Sequence, residues 1–261
     1  MNALSAIERM LVIIAVTFVT MKIVVVACTR TRLTFTQWLA FLGWFGMRPE
    51  VFARPRTAGF QPAGPPASYR RGLLAITAGL TLLAIARLLA ATPFDLTAKR
   101  IAVSVIALPA LSLILHFGII DVVTGLYHRG GWPVNEPFRN PLASRSLAEF
   151  WSRRWNVGFS EMISVAVHRP VRRYAGETAG LLASFLASGV LHELAISVPV
   201  GAGFGLPTLY FVLHGALVGL ERKTPRIASR AWTLFWLIAP LPLLFHPPFL
   251  RGVVWPLVGL G

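Results

Sequence analysis

The chain alternates long apolar runs with short gaps that hold most of its positive charge, and that alternation leaves few folds open. A hydrocarbon core about 30 Å thick needs about 20 helical residues to cross. Six runs are long and apolar enough, or nearly so: Met10–Cys28, Gly72–Ala91, Ile101–Tyr127, Thr178–Val200, Phe204–Leu220 and Ala231–Phe245. Backbone groups cannot face lipid unpaired, so such runs read as helices. Trp38–Met47 and Phe249–Gly261 are apolar but short, and the first reads as re-entrant or interfacial. Hydrophobic residues make up 55% of the 261, while charged residues make up only 13%. A soluble domain carries about 25% charged residues, so a water-soluble globule is excluded. The expected fold class is all-α, a polytopic transmembrane helical bundle of about 6–8 spans. It forms one membrane-embedded domain over residues 1–261.

The net charge is +15 and the isoelectric point about 11.6. Such basicity alone suits nucleic acid, but its placement points to topology and argues against a nucleic-acid partner. With the N-terminus outside and the six runs alternating, the inner loops hold 19 of the 25 Lys and Arg residues and the outer side holds 4. That is a strong positive-inside pattern, with the basic loops cytoplasmic. Arg outnumbers Lys 22 to 3. This usage suggests a GC-rich bacterial source and so a bacterial inner (plasma) membrane. The first run, interrupted by Lys22, reads as a retained helix rather than a cleaved signal. The Pro- and Gly-rich stretch Phe52–Ala67 reads as a cytoplasmic linker. The single cysteine, Cys28, rules out an internal disulfide.

Ionisable groups within apolar runs are costly and mark candidate sites. His192 and Glu193 lie side by side well inside the fourth run, after Ser184, Ser188 and Gly189. A zinc protease helix needs His-Glu-x-x-His, and here Ile196 stands where the second His would be. His214 lies in the fifth run. His116 and Asp121 lie in the third, where Asp121 either lines a cavity or marks the inner end of the span. No spacing among His116, Asp121, His128 and His168 favours a metal, and no phosphate loop or dinucleotide motif is present, so no metal or cofactor is expected. Between the third and fourth runs, Ser146–Val167 reads as one interfacial helix, cytoplasmic and rich in Trp and Arg. Ser146 and Glu149 fit an N-cap and capping box. Phe150, Trp151, Trp155, Phe159 and Ile163 share a side, apart from Arg153, Arg154 and Glu161.

Three blocks carry a resemblance. Asn140-Pro141 is followed by Ser146-Leu147 and by Phe150-Trp151-Ser152-Arg153-Arg154-Trp155-Asn156. Ser188-Gly189-Val190-Leu191-His192-Glu193 comes next, and then Phe211-Val212-Leu213-His214-Gly215 with Glu221 beyond. In this order they resemble the wax-synthase-like branch of the membrane-bound O-acyltransferases. They cover a motif-bearing core over residues 140–221, about a third of the chain. Ser152 departs from the family's usual Gly, and the N-terminal half matches only in hydropathy.

The resemblance implies transfer of a fatty acyl group from acyl-CoA to an alcohol hydroxyl, giving an ester. It implies that His192 is the general base and that Asn156 orients the acyl donor or holds the thioester carbonyl. Trp151, Arg153, Arg154, Trp155, Ser188, Glu193 and His214 are the implied substrate-binding residues. A long-chain alcohol or another hydroxylated lipid-like molecule is the implied acceptor, and membrane lipid surrounds the site. Arg153, Arg154, Arg169, Arg172 and Arg173 suit the phosphates of acyl-CoA, and equally serve topology and anionic lipid. Two other classes stay open on the residues alone. A transporter would run a polar path through His192, His214 and Asp121 and would want an inverted repeat, which the sequence does not show. A non-catalytic membrane scaffold would tolerate loss of His192.

Overall fold

The computed structural model describes residues 4–53 and 67–260, and among them every regular element is helical. Most of the Pro- and Gly-rich stretch expected as a linker, residues 54–66, lies outside the described residues. Helix α1 spans Ala6–Thr29, α2 Phe35–Leu42, α3 Ala67–Ala90 and α4 Leu96–Arg129. Helix α5 spans Val157–Val200, α6 Leu206–Lys223 and α7 Arg230–Ile238. Local sequence sets the starts. Ser5 and Glu8 close a reciprocal capping box on α1, and Thr34 and Gln37 close another on α2.

Among the described residues four helices are long and apolar enough to cross a membrane: Ala6–Thr29, Ser68–Ala90, Leu96–Arg129 and Val157–Val200. A bent pair, Arg230–Leu244 with Pro247–Leu257, makes up to five. The chain is a multi-pass membrane protein, but this count is lower than the six runs. The fifth run forms α6, whose 18 residues end in Glu221, Arg222 and Lys223. The sixth is broken at Pro240 and again before Pro247.

The described residues form two compact units. One comprises residues 1–53 and 137–249, and the other residues 54–136 and 250–261. In the second unit α3 packs along α4. A Cβ on Gly72 would lie 2.7 Å from the Gly118 carbonyl, so only glycine lets these backbones meet. Asp121, expected to line a cavity or end a span, is buried on α4 and paired with Arg71 at 3.4 Å. Arg71 also binds Glu136 at 2.5 Å. Trp255 Nε1 donates to Ser104 Oγ at 2.9 Å in the same unit.

In the first unit α5 and α6 pack against one another, and the sequence of α5 shows why. Leu182, Leu186, Val190 and Leu194 form an exposed stripe at helical spacing, suited to lipid. Leu181, Phe185, Ser188, Gly189 and Ile196 turn inward and are buried. A Cβ on Gly189 would lie 2.8 Å from Thr208 Cα of α6. The fourth run was expected to begin at Thr178. The helix begins earlier, at Val157, but Gly176 breaks its path with φ 85° just before that point. Near the other end the ladder widens to a π turn over Glu193–Ser197, closed by Val198 N–H to the Glu193 carbonyl. Pro199, with no N–H to give, follows at once.

Candidate functional site

The segment expected to be one amphipathic helix, Ser146–Val167, is divided in two. Ser146 does cap the first piece, accepting from Glu149 N–H at 2.9 Å. Among the described residues the expected return bond of the capping box is not formed. Glu149 instead accepts from Arg145 N–H at 2.8 Å and from Arg154 Nε at 2.7 Å. These two bonds, the Arg145 N–H first, hold the Glu149 carboxyl below its ordinary range. A helical turn Leu147–Glu149 leads into a π turn Phe150–Arg154, closed by Trp155 N–H on the Phe150 carbonyl at 2.9 Å. Trp155 is then extended, and Asn156 is left-handed with φ 43°. Asn tolerates that region better than most residues.

A strap fixes this break. Arg139 N–H donates to the Arg154 carbonyl at 2.9 Å, and Val157 N–H donates to the Pro137 carbonyl at 2.8 Å. Arg154 Nη1 reaches the carbonyls of Arg139 and Asn140, both at 3.2 Å. Asn140 is itself left-handed, with φ 46°. Arg154 is thus a partly buried structural cation, whereas Arg153 is exposed. Phe138 and Trp155 meet edge to face at 4.9 Å.

Asn156 becomes the N-cap of α5. Its Oδ1 accepts from Phe159 N–H at 3.3 Å, leaving its NH₂ without a partner among the described residues. One turn on, the Phe159 ring lies 6.1 Å from the ring of His192. His192 sits at the far end of the same helix system and is half-buried. Its Nδ1 lies 2.7 Å from the carbonyl of Ser188. A carbonyl only accepts, so Nδ1 carries the proton, and in neutral imidazole Nε2 keeps a free lone pair. Ser188 is buried, and its hydroxyl donates back to the Ser184 carbonyl at 2.9 Å. The His192 ring lies 4.2 Å from that of Phe211.

Phe211 links the rest. Trp151 approaches it at 5.4 Å and approaches His214 edge-on at 5.4 Å. His214 is fully buried, with Nδ1 2.8 Å from the Tyr210 carbonyl and its ring 4.2 Å from that of Tyr210. Trp151, His192 and His214 are therefore gathered in one aromatic cluster. Glu193 points elsewhere. Its Oε1 accepts from Gly205 N–H (2.9 Å), Thr208 N–H (3.0 Å) and Thr208 Oγ1 (3.0 Å), capping α6. Beside it, Phe204, Thr208, Leu209 and Val212 line an open cavity of about 430 Å³.

Glu221, the last residue of the third block, is buried. Its Oε1 accepts from Leu147 N–H at 2.8 Å and Trp232 Nε1 at 3.0 Å, and its Oε2 accepts from Ala148 N–H at 3.0 Å. It thereby ties the start of the Trp151 turn to α6. Of the other arginines, Arg172 and Arg222 both reach Glu177, at 3.6 and 3.0 Å.

Sequence reasoning missed several residues here. The sequence puts Phe159 on the apolar side of its segment but carries no sign of His192 beside it, and Phe185 and Tyr210 belong to no motif. His246 is fully buried, with Nε2 3.3 Å from Ser197 Oγ and Nδ1 accepting from Phe249 N–H at 3.3 Å. A lone His in the short gap between the last two apolar runs is the available signal. Among the described residues no group of three or more His, Cys, Asp or Glu is placed to hold a metal ion.

Residues 132–213 match the model of the membrane bound O-acyl transferase family. "Probable long-chain-alcohol O-fatty-acyltransferase 2" of Arabidopsis thaliana is 34% identical over 143 residues, 48% of this chain and 41% of that protein. "Long-chain-alcohol O-fatty-acyltransferase" of Simmondsia chinensis is 33% identical over 101 residues, 35% of this chain and 29% of that protein. The aligned stretch spans about two fifths or less of the length of these relatives. The matched stretch holds Asn156 and His192 and ends one residue before His214.

Proposed function

We propose that this multi-pass membrane chain, whose residues 132–213 match the membrane bound O-acyl transferase family model, belongs to the wax-synthase-like branch and transfers a fatty acyl group from acyl-CoA to an alcohol. The relatives' names, long-chain-alcohol O-fatty-acyltransferases, favour a long-chain alcohol as acceptor. The observation that carries the reading is the fixed state of His192. Its Nδ1–H is held by the Ser188 carbonyl, which leaves Nε2 as an acceptor inside an aromatic enclosure.

An alcohol is a poor nucleophile until its proton is removed. In this reading His192 Nε2 takes the hydroxyl proton as the oxygen attacks the thioester carbon. The free NH₂ of Asn156 donates to the thioester carbonyl as negative charge develops there. Collapse releases the ester and the CoA thiolate, and the imidazolium returns its proton to that sulfur. No acyl-enzyme is needed. Trp151, Phe159 and Phe211 wall the site against water, which strengthens its electrostatics. Arg153 is the exposed arginine next to the cluster and suits the CoA phosphates. Arg154, Trp155, Ser188 and Glu193 shape the site through their bonds, and His214 backs Trp151. The basic loops face the cytoplasm, where acyl-CoA arrives. For a bacterial inner membrane the support is the arginine-rich composition alone, since the relatives named above are plant proteins.

The test is ester formation from labelled long-chain acyl-CoA in membranes bearing the chain, across a panel of alcohols, against membranes lacking it. Ester that depends on the chain and on a long-chain alcohol supports the reading. Its absence with every acceptor refutes it.

A further inference from the structure

Of the two cations in α1, Arg9 lies in the first turn and Lys22 lies deep in the apolar run, where it is fully buried. An ammonium in that position needs all three of its N–H groups satisfied. Nζ donates to the carbonyls of Phe41 (2.9 Å), Trp44 (2.6 Å) and Gly46 (2.5 Å). It also sits 3.8 Å from the Phe41 ring centroid and 5.0 Å from that of Phe18. The stretch expected to be re-entrant or interfacial, Trp38–Met47, is therefore the end of α2 followed by a turn gathered around this ammonium.

That turn bears on the first turn of α5. A Cβ on Gly158 would lie 2.8 Å from Gly46 Cα, 3.2 Å from Met47 N and 3.3 Å from the Phe45 carbonyl. Gly158 is two residues beyond Asn156, inside the turn that Asn156 caps. All the contacts are to backbone, so they transmit position with little give.

We propose that Lys22 is a positioning residue for Asn156: by collecting the Phe41, Trp44 and Gly46 carbonyls it shapes the turn against which Gly158, and with it the Asn156 cap, is seated. As a statement about catalysis this rests on the acyl-transfer reading, whereas as a statement about the turn it does not. Lys22→Met keeps the stem and removes the donors. The three carbonyls then lose their common ligand, the turn relaxes, and the Asn156 amide shifts.

Two readouts test it in the full-length chain in membranes. In a Cys28→Ser background, Asn156→Cys is labelled with a maleimide, with and without Lys22→Met, and Tyr174→Cys serves as a distant exposed control. The labelling rate at 156 should change several-fold while the rate at 174 stays the same. An unchanged rate at 156, or equal changes at both sites, overturns the proposal. In the acyl-transfer assay, Lys22→Met should lower kcat about tenfold to a hundredfold, as a small misplacement does, with KM for acyl-CoA nearly unchanged. The same substitution should add nothing to the loss caused by Asn156→Ala. Losses that multiply overturn the proposal. If the wild type makes no ester, the acyl-transfer reading fails, and the labelling alone decides the role of Lys22. If Lys22→Met does not insert, Lys22→Gln, with an uncharged and shorter donor, carries both readouts.

Discussion

Glu221→Ala tests how the Trp151 turn is anchored. The carboxylate accepts three bonds, from Leu147 N–H, Ala148 N–H and Trp232 Nε1–H. Leu147 is fully buried, whereas Ala148 and Trp232 are only half-buried. Truncation leaves the Leu147 N–H with no solvent to replace the oxygen, and the other two are in part rehydrated. A buried donor left unsatisfied costs about 1–3 kcal/mol, and bonds to a charged group are worth about 1.5–3 kcal/mol each. With partial rehydration, the variant should lose about 3–5 kcal/mol. Glu221→Gln keeps one accepting oxygen but turns an NH₂ toward a donor, so its loss should fall between wild type and Glu221→Ala. Reversible denaturant unfolding in micelles, followed by tryptophan fluorescence, measures both. A loss under about 1 kcal/mol for Glu221→Ala, or equal losses for the two variants, refutes the anchoring argument.

Three further outcomes follow from the same geometry. Gly189→Ala puts a Cβ 2.8 Å from Thr208 Cα. It should cost about 1–3 kcal/mol by overpacking in thermal unfolding, and a neutral variant would contradict the close α5–α6 contact. Arg153→Met should raise KM for acyl-CoA several-fold without changing stability. Arg154→Met, which loses Glu149 and two carbonyls, should cost about 1–2 kcal/mol, and the reverse pattern would refute the division of roles. Glu149 has a lowered carboxyl pKa, from the Arg145 N–H first and then from Arg154. Its support for the turn is fully present above the ordinary glutamate pKa and is lost as pH falls through the lowered folded value. Hydrogen exchange at Arg145 and Glu149 should rise, beyond its intrinsic pH dependence, only in that acid window. Loss of protection above the ordinary pKa would contradict this.

What could be read from the sequence was what depends on local chemistry. The apolar runs point to the helices, Ser146 to its N-cap, and the blocks carrying Asn156 and His192 to two residues that each lie beside Phe159. Long-range partners decide the rest. Glu149 looks like half of a capping box until Arg154 is known to share it, and Asn156 breaks the helix because residues 137–140 strap it. Glu221 carried no local sign that its acceptors serve a helix 73 and 74 residues earlier in the chain. Lys22 looked like an interruption of an apolar run, because its acceptors are backbone carbonyls, which no residue type announces. The six apolar runs outnumber the four or five candidate spans among the described residues, in part because hydropathy does not register the break at Pro240 within the sixth run.

The central claim is that His192 Nε2 is the base in acyl transfer. The most direct measurement compares ester formation from labelled acyl-CoA and a long-chain alcohol in membranes holding equal inserted amounts of wild type and His192→Ala. Ester should form with the wild type and fall about 10²–10⁴-fold in the variant, the usual contribution of a general base. Equal activity in the two would contradict it.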